Sequence, residues 1–268
     1  RVAILTDSIY PFVKGGKEKM IHEITTRLAA SGYDLTIYCM QLWEGDKIII
    51  KDGITFYGIG SSHNQYSGNR RSISEAVFFS LNCFKLLTKK FDVVDVDHMP
   101  HLVLFSMKIV CLLNRKQMTV TWHEVWGRAY WKEYLGNFLG EVAFLIEKMS
   151  AHLPDMIISV SDHTTKRLRT VLGTKRKIVT IYNGVDQEEI FKDMRIEKPS
   201  DIVFAGRLLP NKNIDVLMQA VAIIKVKNPN IAVSIVGDGP EKERLELLVD
   251  ALGIRQNVSL LGFLEDNK

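Results

Sequence analysis

Cysteine is scarce: Cys39, Cys83 and Cys111 are the only three, far apart and set in apolar surroundings. An odd set without a C-x-x-C pair excludes a dense disulfide framework and a thiolate zinc site, and reads as reduced core thiols of a cytoplasmic protein. Long hydrophobic runs are missing too. The most apolar one, Leu102 to Leu113, is too short to cross a bilayer and contains Lys108. Charge of one sign is also lacking: 35 basic against 31 acidic residues give +4, no argument for nucleic acid, yet compatible with anionic substrates or lipid headgroups. No metal is expected, no Asp-x-Asp or His cluster being read as a metal site. No G-x-G-x-x-G follows the first strand of either half, which weakens a nicotinamide dehydrogenase. No signal peptide precedes the first strand. The chain opens at Arg1, already inside that strand and without an initiator Met, so a trimmed N-terminus is expected.

What is present is an alternation of short apolar runs and helical periods over 268 residues, enough for two cores at 46% hydrophobic content. Val2–Thr6, Leu35–Cys39, Val93–Val96, Met118–Trp122, Met156–Val160 and Ile178–Tyr182 read as buried strands. Ile48–Ile50 and Ile54–Tyr57 about Asp52-Gly53 read as a hairpin or two short strands. Helices are expected from Lys17 with Ile21, Ile24 and Leu28 on one face, and over Ile73–Phe91, Leu102–Leu113, Trp131–Leu153 and Thr164–Leu172. Ser61 to Ser74 reads as a mobile loop. The pattern is α/β, with two Rossmann-like doubly wound sheets. Polar Glu188 to Ser200 marks the junction, giving a first domain over 1–195 and a second over 196–268. The second has three strands, Asp201–Ala205, Ile231–Val236 and Val258–Leu261, with helices at Asn211–Lys227 and Glu241–Leu252. A sheet commonly has about five or six strands, so this domain is expected to be incomplete.

The chemistry concentrates in Asp201 to Ala220, where a strand ends at Gly206 and a helix follows. Arg207 and Lys212 lie in the turn between them. Backbone N–H groups at a helix start attract anions, Arg adds a forked donor and Lys a point charge, so a diphosphate suits the turn; a solvated loop with two surface cations is the plain alternative. Gly15-Gly16 sits between the first strand and its helix, where a glycine pair can take positive φ and let a ligand approach, or simply make a tight turn. His123 follows the strand Met118–Trp122 at the carboxyl end of the sheet; a single His is more often structural. Asn183-Gly184 reads as a turn closing the first domain. Gly237 and Gly239, in Val236 to Pro240, end a strand and are placed to line a nucleotide pocket.

The run FAGRLLPNKNIDVLMQA, followed by VGDGPEKERLELL and VSLLGF, resembles the donor-binding domain of retaining GT-B glycosyltransferases, family four, group 1 type. GGKEKMIHEITTRLAASGYDLTIY resembles that family's opening pattern, and Ile181 to Asp186 its strand-NGVD hinge. The resemblance implies a hexosyltransferase that moves a sugar from a nucleotide-diphosphate-sugar donor to a glycan, lipid or small-molecule acceptor with retention, without metal or other cofactor. It implies that Arg207 and Lys212 hold the diphosphate and act with His123, a sugar contact, in catalysis. Gly15, Gly16, Asn183, Gly206, Gly237 and Gly239 become donor-binding positions, Gly16 facing the donor phosphates across an interdomain cleft. The family's segment has His-Asp where this chain has His123-Glu124, which puts a role for that carboxylate in doubt. The family's glutamates eight apart are expected beyond Lys268, so activity of the chain ending there is open. Glu133/Glu141 and Glu189/Glu197 share the spacing without the context and read as coincidences. Two rivals stand: a nucleotide-sugar epimerase and a truncated nucleotide-sugar-binding module without turnover. Asn69, Arg70 and Arg71 with Lys85, Lys89 and Lys90 flank an aromatic helix, so peripheral contact with the cytoplasmic membrane surface is a further expectation, core with a solvated edge its alternative.

Overall fold

The computed structural model describes residues 1–61, 66–67, 70–187 and 200–264. It divides into two compact units, Arg1–Gly184 and Val185–Lys268. The junction read at 188–200, with the 195/196 boundary, falls on residues that up to 199 lie outside the described ones, as do Glu189 and Glu197.

The first unit runs β1 (Val2–Leu5), α1 (Gly16–Ala30), β2 (Leu35–Gln41), β3 (Ile48–Lys51), β4 (Ile54–Ser61), β5 (Tyr66–Ser67), β6 (Arg70–Arg71), α2 (Ile73–Asn82) and a 3-10 stretch, Cys83–Thr88. It continues through β7 (Val93–Asp97), α3 (Leu102–Asn114), β8 (Gln117–Trp122), α4 (Gly127–Leu135), α5 (Asn137–Ser150), β9 (Met156–Ser159), α6 (Asp162–Thr170) and β10 (Lys177–Thr180). Eight strands form one sheet in the order β10-β9-β8-β7-β1-β2-β4-β3, parallel except for the β3–β4 hairpin. β5 and β6 form a separate antiparallel ribbon inside the stretch expected as a loop.

Alternation along β1 explains the layers. Ala3 and Leu5 enter the cluster containing Val94, Val96, Met118 and Trp122, whereas Ile4 enters the one containing Leu35, Ile37 and Phe56. A sheet with both faces covered needs apolar residues at every strand position. The three cysteines are buried free thiols within these layers. The chain passes from β1 to β2 on one side and later places β7 on the other. The carboxyl ends of β1 and β7 therefore border the reversal of winding, where open α/β sheets hold ligands.

Several helices differ from expectation, and the one read over Ile73–Phe91 ends at Asn82 and passes into the 3-10 stretch. The buried face of α1 is Glu18, Ile21 and Thr25, while Ile24 is exposed. Thr25 is accommodated because its hydroxyl donates to the Ile21 carbonyl at 2.7 Å. The single helix read over Trp131–Leu153 is two, broken at Gly136, whose φ of 84° is left-handed. The pair packs closely: a Cβ on Gly140 would lie 2.5 Å from the Trp131 carbonyl oxygen.

The second unit contains β11 (Ile202–Ala205), a 3-10 turn at Pro210–Lys212, α7 (Ile214–Lys225), β12 (Val233–Val236), α8 (Lys242–Ala251) and β13 (Val258–Gly262). The strands pair in parallel as β11-β12-β13. Leu208, Ile214, Met218, Val221, Ile235, Leu245 and Val249 form its core. Eight α-helices and thirteen strands are present among the described residues.

Candidate active site

In the first unit, β1, β7 and β8 deliver charged groups to one place. Asp7 lies just past β1, Asp97 ends β7 with His98 after it, and His123 follows β8. Lys17, on the first turn of α1, reaches into them: its Nζ is 2.7 Å from Asp7 Oδ1 and 2.7 Å from Asp97 Oδ2. Asp97 Oδ1 stands 3.4 Å from His98 Nδ1 and 3.7 Å from His123 Nε2. Burial pushes the Asp97 carboxyl up, but Lys17, His98 and His123 outweigh that and hold it well below the usual carboxylate range. Desolvation pulls His123 down to about 4 against the attraction of Asp97, so its imidazole is neutral near pH 7.

The backbone around His123 is fixed from behind. Glu147, buried on α5, accepts the Trp126 and Gly127 N–H groups at 2.8 and 2.9 Å and the Trp131 indole N–H at 2.8 Å. Burial raises its pKa against the pull of these bonds. Thr164 donates its hydroxyl to the His123 carbonyl at 3.1 Å. The Glu124 side chain is exposed while its carbonyl accepts the Trp122 indole N–H at 2.8 Å.

Ligand atoms of Asp97, His98 and His123 lie within 4.8 Å of one another, a set that could hold a divalent cation. Lys17 already places positive charge on the second oxygen of Asp97. The sequence carried a sign of this cluster that was passed over. Asp95-Val96-Asp97 is an Asp-x-Asp, and His98 follows it directly. Asp95, half-buried on β7, accepts the Thr121 hydroxyl at 2.7 Å, and desolvation pushes its carboxyl up to about 7.

The glycine pair works differently from the expectation of positive φ. Gly15 has φ −140°, an extended conformation open to any residue. A Cβ there would lie within 2.2 Å of the Glu18 carboxylate. Glu18 in turn accepts the Ser8 hydroxyl at 2.5 Å, so Gly15 makes room for a bond tying the β1 loop to α1. Gly16 begins α1 and has open space where a side chain would project.

Beside this cluster lies a cavity of about 250 Å³. Phe79, Leu102, Trp126, Trp131, Leu135 and Ile146 are among its walls, and Asp7, Ser72, Glu75 and His101 are its polar lining.

In the second unit Arg207 and Lys212 are exposed on the connection from β11 to α7. Lys212 lies in the connection ahead of α7, as expected, although the helix begins at Ile214 rather than at Asn211. It closes the 3-10 turn, and Asn213, at φ 51°, separates it from the helix. The glycines are explained by close backbone approach. A Cβ on Gly237 would sit 1.9 Å from the Gly206 carbonyl oxygen, and one on Gly239 2.5 Å from that of Leu208. Hydrogen bonds join these loops: Gly206 N–H to Val236 O at 3.0 Å, Leu208 N–H to Asp238 O at 3.0 Å and Glu241 N–H to Leu208 O at 3.2 Å. Asn183 and Gly184 are exposed in irregular backbone with no left-handed residue, so the Asn-Gly turn expected there is absent.

Residues 14–189 match the family described as Glycosyltransferase Family 4, and residues 186–268 match Glycosyl transferases group 1. The chain belongs to glycosyltransferase family 4. An uncharacterized glycosyltransferase of Haemophilus influenzae is 24% identical over 256 residues, 92% of this chain and 65% of that protein. A GDP-mannose-dependent alpha-(1-6)-phosphatidylinositol monomannoside mannosyltransferase of Mycobacterium tuberculosis is 28% identical over 118 residues, 40% of this chain and 31% of that protein. The chain thus spans less than two thirds of the length of both. Among solved structures, Anabaena HepE in complex with UDP-glucose aligns at a TM-score of 0.66 and 15% identity over 99% of this chain and 69% of that one. That likeness is one of fold, and the fold is the GT-B glycosyltransferase α/β type.

Glu141 is ion-paired with Arg128 and Lys132 at 3.2 Å each. Side chains of Arg70 and Arg71 lie outside those described. Lys85 Nζ donates to the Ile59 carbonyl at 2.6 Å. Lys89 Nζ lies 4.3 Å from the Tyr57 ring centroid. No helix among the described residues is long and apolar enough to cross a membrane.

Proposed function

We propose that this family-four protein transfers a hexosyl group from a nucleotide-diphosphate-sugar to a glycan or lipid acceptor with retention at the anomeric carbon. The observation that carries the reading is the pair of exposed cations, Arg207 and Lys212, at the carboxyl end of β11. Departure of a nucleoside diphosphate builds negative charge, and fixed cations there stabilise the transition state more than the ground state. These two residues supply that charge without a metal. Gly206, Gly237 and Gly239 let the two loops close on each other and so fix the backbone that bears Arg207.

The first unit takes the acceptor. Neutral His123 can accept or donate a hydrogen bond to a sugar hydroxyl, held in place by Glu147 and Thr164 from behind. Lys17 helps to keep Asp97 ionised, and Asp7 lies at the edge of the cluster, its Oδ1 2.7 Å from the same Lys17 Nζ. Gly16, with open space ahead of it, leaves the start of α1 accessible to a phosphate. The donor chemistry is supported by a GDP-mannose-dependent relative and by a structural neighbour in complex with UDP-glucose.

Incubation with UDP-glucose or GDP-mannose and a panel of acceptors tests this. Acceptor-dependent release of nucleoside diphosphate, with the anomeric configuration kept in the product, is expected. An altered sugar on intact nucleotide would make the protein an epimerase, and binding of the nucleotide-sugar with no release would make it a binding module.

A further inference from the structure

The geometry points to a hydrocarbon-chain site in the first unit: the cavity beside Asp7 takes the apolar tail of an amphiphilic acceptor whose sugar or alcohol head lies at Asp7, Lys17 and His123. This deepens the transferase reading and rests on it for the role of the head group.

Three observations carry the choice of occupant. Apart from Asp7, Ser72, Glu75 and His101 the walls are aliphatic and aromatic, with Phe79 and Trp131 buried, so a guest along them gains by leaving water rather than by hydrogen bonding. The cavity also continues into exposed apolar surface. Ile73, Leu139 and Val142 line it while being 57%, 50% and 43% exposed, and Phe138 and Leu145 extend the same helix face. A wholly polar acceptor would leave these groups in water. Finally, Asp7 belongs both to the cavity lining and to the ion pair with Lys17, so the pocket opens toward the charged cluster at its polar end. One apolar end and one charged end match an amphiphile, and a single flexible chain matches a volume of about 250 Å³ better than a bulky glycan.

Calorimetric titration with n-butyl, n-hexyl and n-octyl β-glucosides below their micelle thresholds tests the site without requiring turnover. Affinity should rise about two- to fourfold per added methylene, as expected for burial of hydrocarbon. Ala76→Trp fills the cavity and should weaken octyl glucoside at least tenfold. Leu139→Glu, a change at an exposed position that spares the fold, should do the same, and melting curves establish that each variant is folded. Affinity independent of chain length overturns the proposal, as does full affinity in folded Ala76→Trp. Flat alkyl-glucoside binding together with flotation on phosphatidylglycerol vesicles would overturn it too, assigning the apolar face to a bilayer. If chain-length dependence holds while no nucleotide-sugar is turned over, the site stands and the transferase reading fails.

Discussion

The two units meet the problem of holding charge in opposite ways. In the first, Lys17, Asp7 and Asp97 are largely buried and the one ammonium lies 2.7 Å from each carboxylate, so these charges are partnered within the fold itself. In the second, Arg207 and Lys212 stand in solvent on a turn. Buried charge is set by the fold and is costly to disturb, while exposed charge contributes little to stability and is available to a ligand. The difference teaches which residues should fail in folding and which in turnover.

Lys17→Met sharpens the comparison with the largest effect. Leaving two carboxylates uncompensated should cost about 3–5 kcal/mol of stability, read from denaturant melts of the first unit's signal. A loss below about 1 kcal/mol would show that the cluster is not held as a closed ion pair. Next come Arg207→Ala and Lys212→Ala, each expected to lower kcat/KM by about 2–4 kcal/mol of transition-state stabilisation while melting unchanged within about 0.5 kcal/mol. A variant that unfolds instead would erase the contrast between the units.

Asp95→Asn should shift stability by on the order of 2 kcal/mol at pH 8 and flatten its pH dependence. The sign follows from a carboxyl raised from 3.8 to about 7 on folding. The native state retains the proton that the unfolded state has released, so this group's contribution is full below about 4 and is lost as pH rises through 7. Comparing melts at pH 5 and pH 8 checks it; equal differences between variant and parent at both values would contradict it. The smallest effect concerns His123. With its pKa down at about 4, kcat/KM should show no histidine break near 6.5, and His123→Gln should lower turnover about tenfold without moving the acid limb.

Strand positions in the first unit were legible because alternation and apolar runs dominate: β1, β2, β7 and β8 begin within a residue of their expected positions. Gly136 hid the break between α4 and α5, since the apolar period runs through it and only φ 84° reveals the turn. Thr25 escaped the buried stripe of α1 because a hydroxyl that bonds its own helix is indistinguishable in sequence from an exposed one. His123 in the first unit, and Arg207 and Lys212 in the second, could be singled out because each lies in a connection that follows a strand. Asp7, Lys17, Asp97 and His98 were not, although Asp-x-Asp-His stood in plain view. They are distant in sequence and meet because β7 lies beside β1, a fact of sheet order that no local window contains.

The stitched loops of the second unit have a mechanical meaning. Because Leu208 and Glu241 share a hydrogen bond and the Gly206 carbonyl fills the space beside Gly237, the segment carrying Arg207 behaves as half of a rigid clasp. Anything that displaces one half drags the other, so the guanidinium is aimed by residues thirty positions downstream as firmly as by its own neighbours.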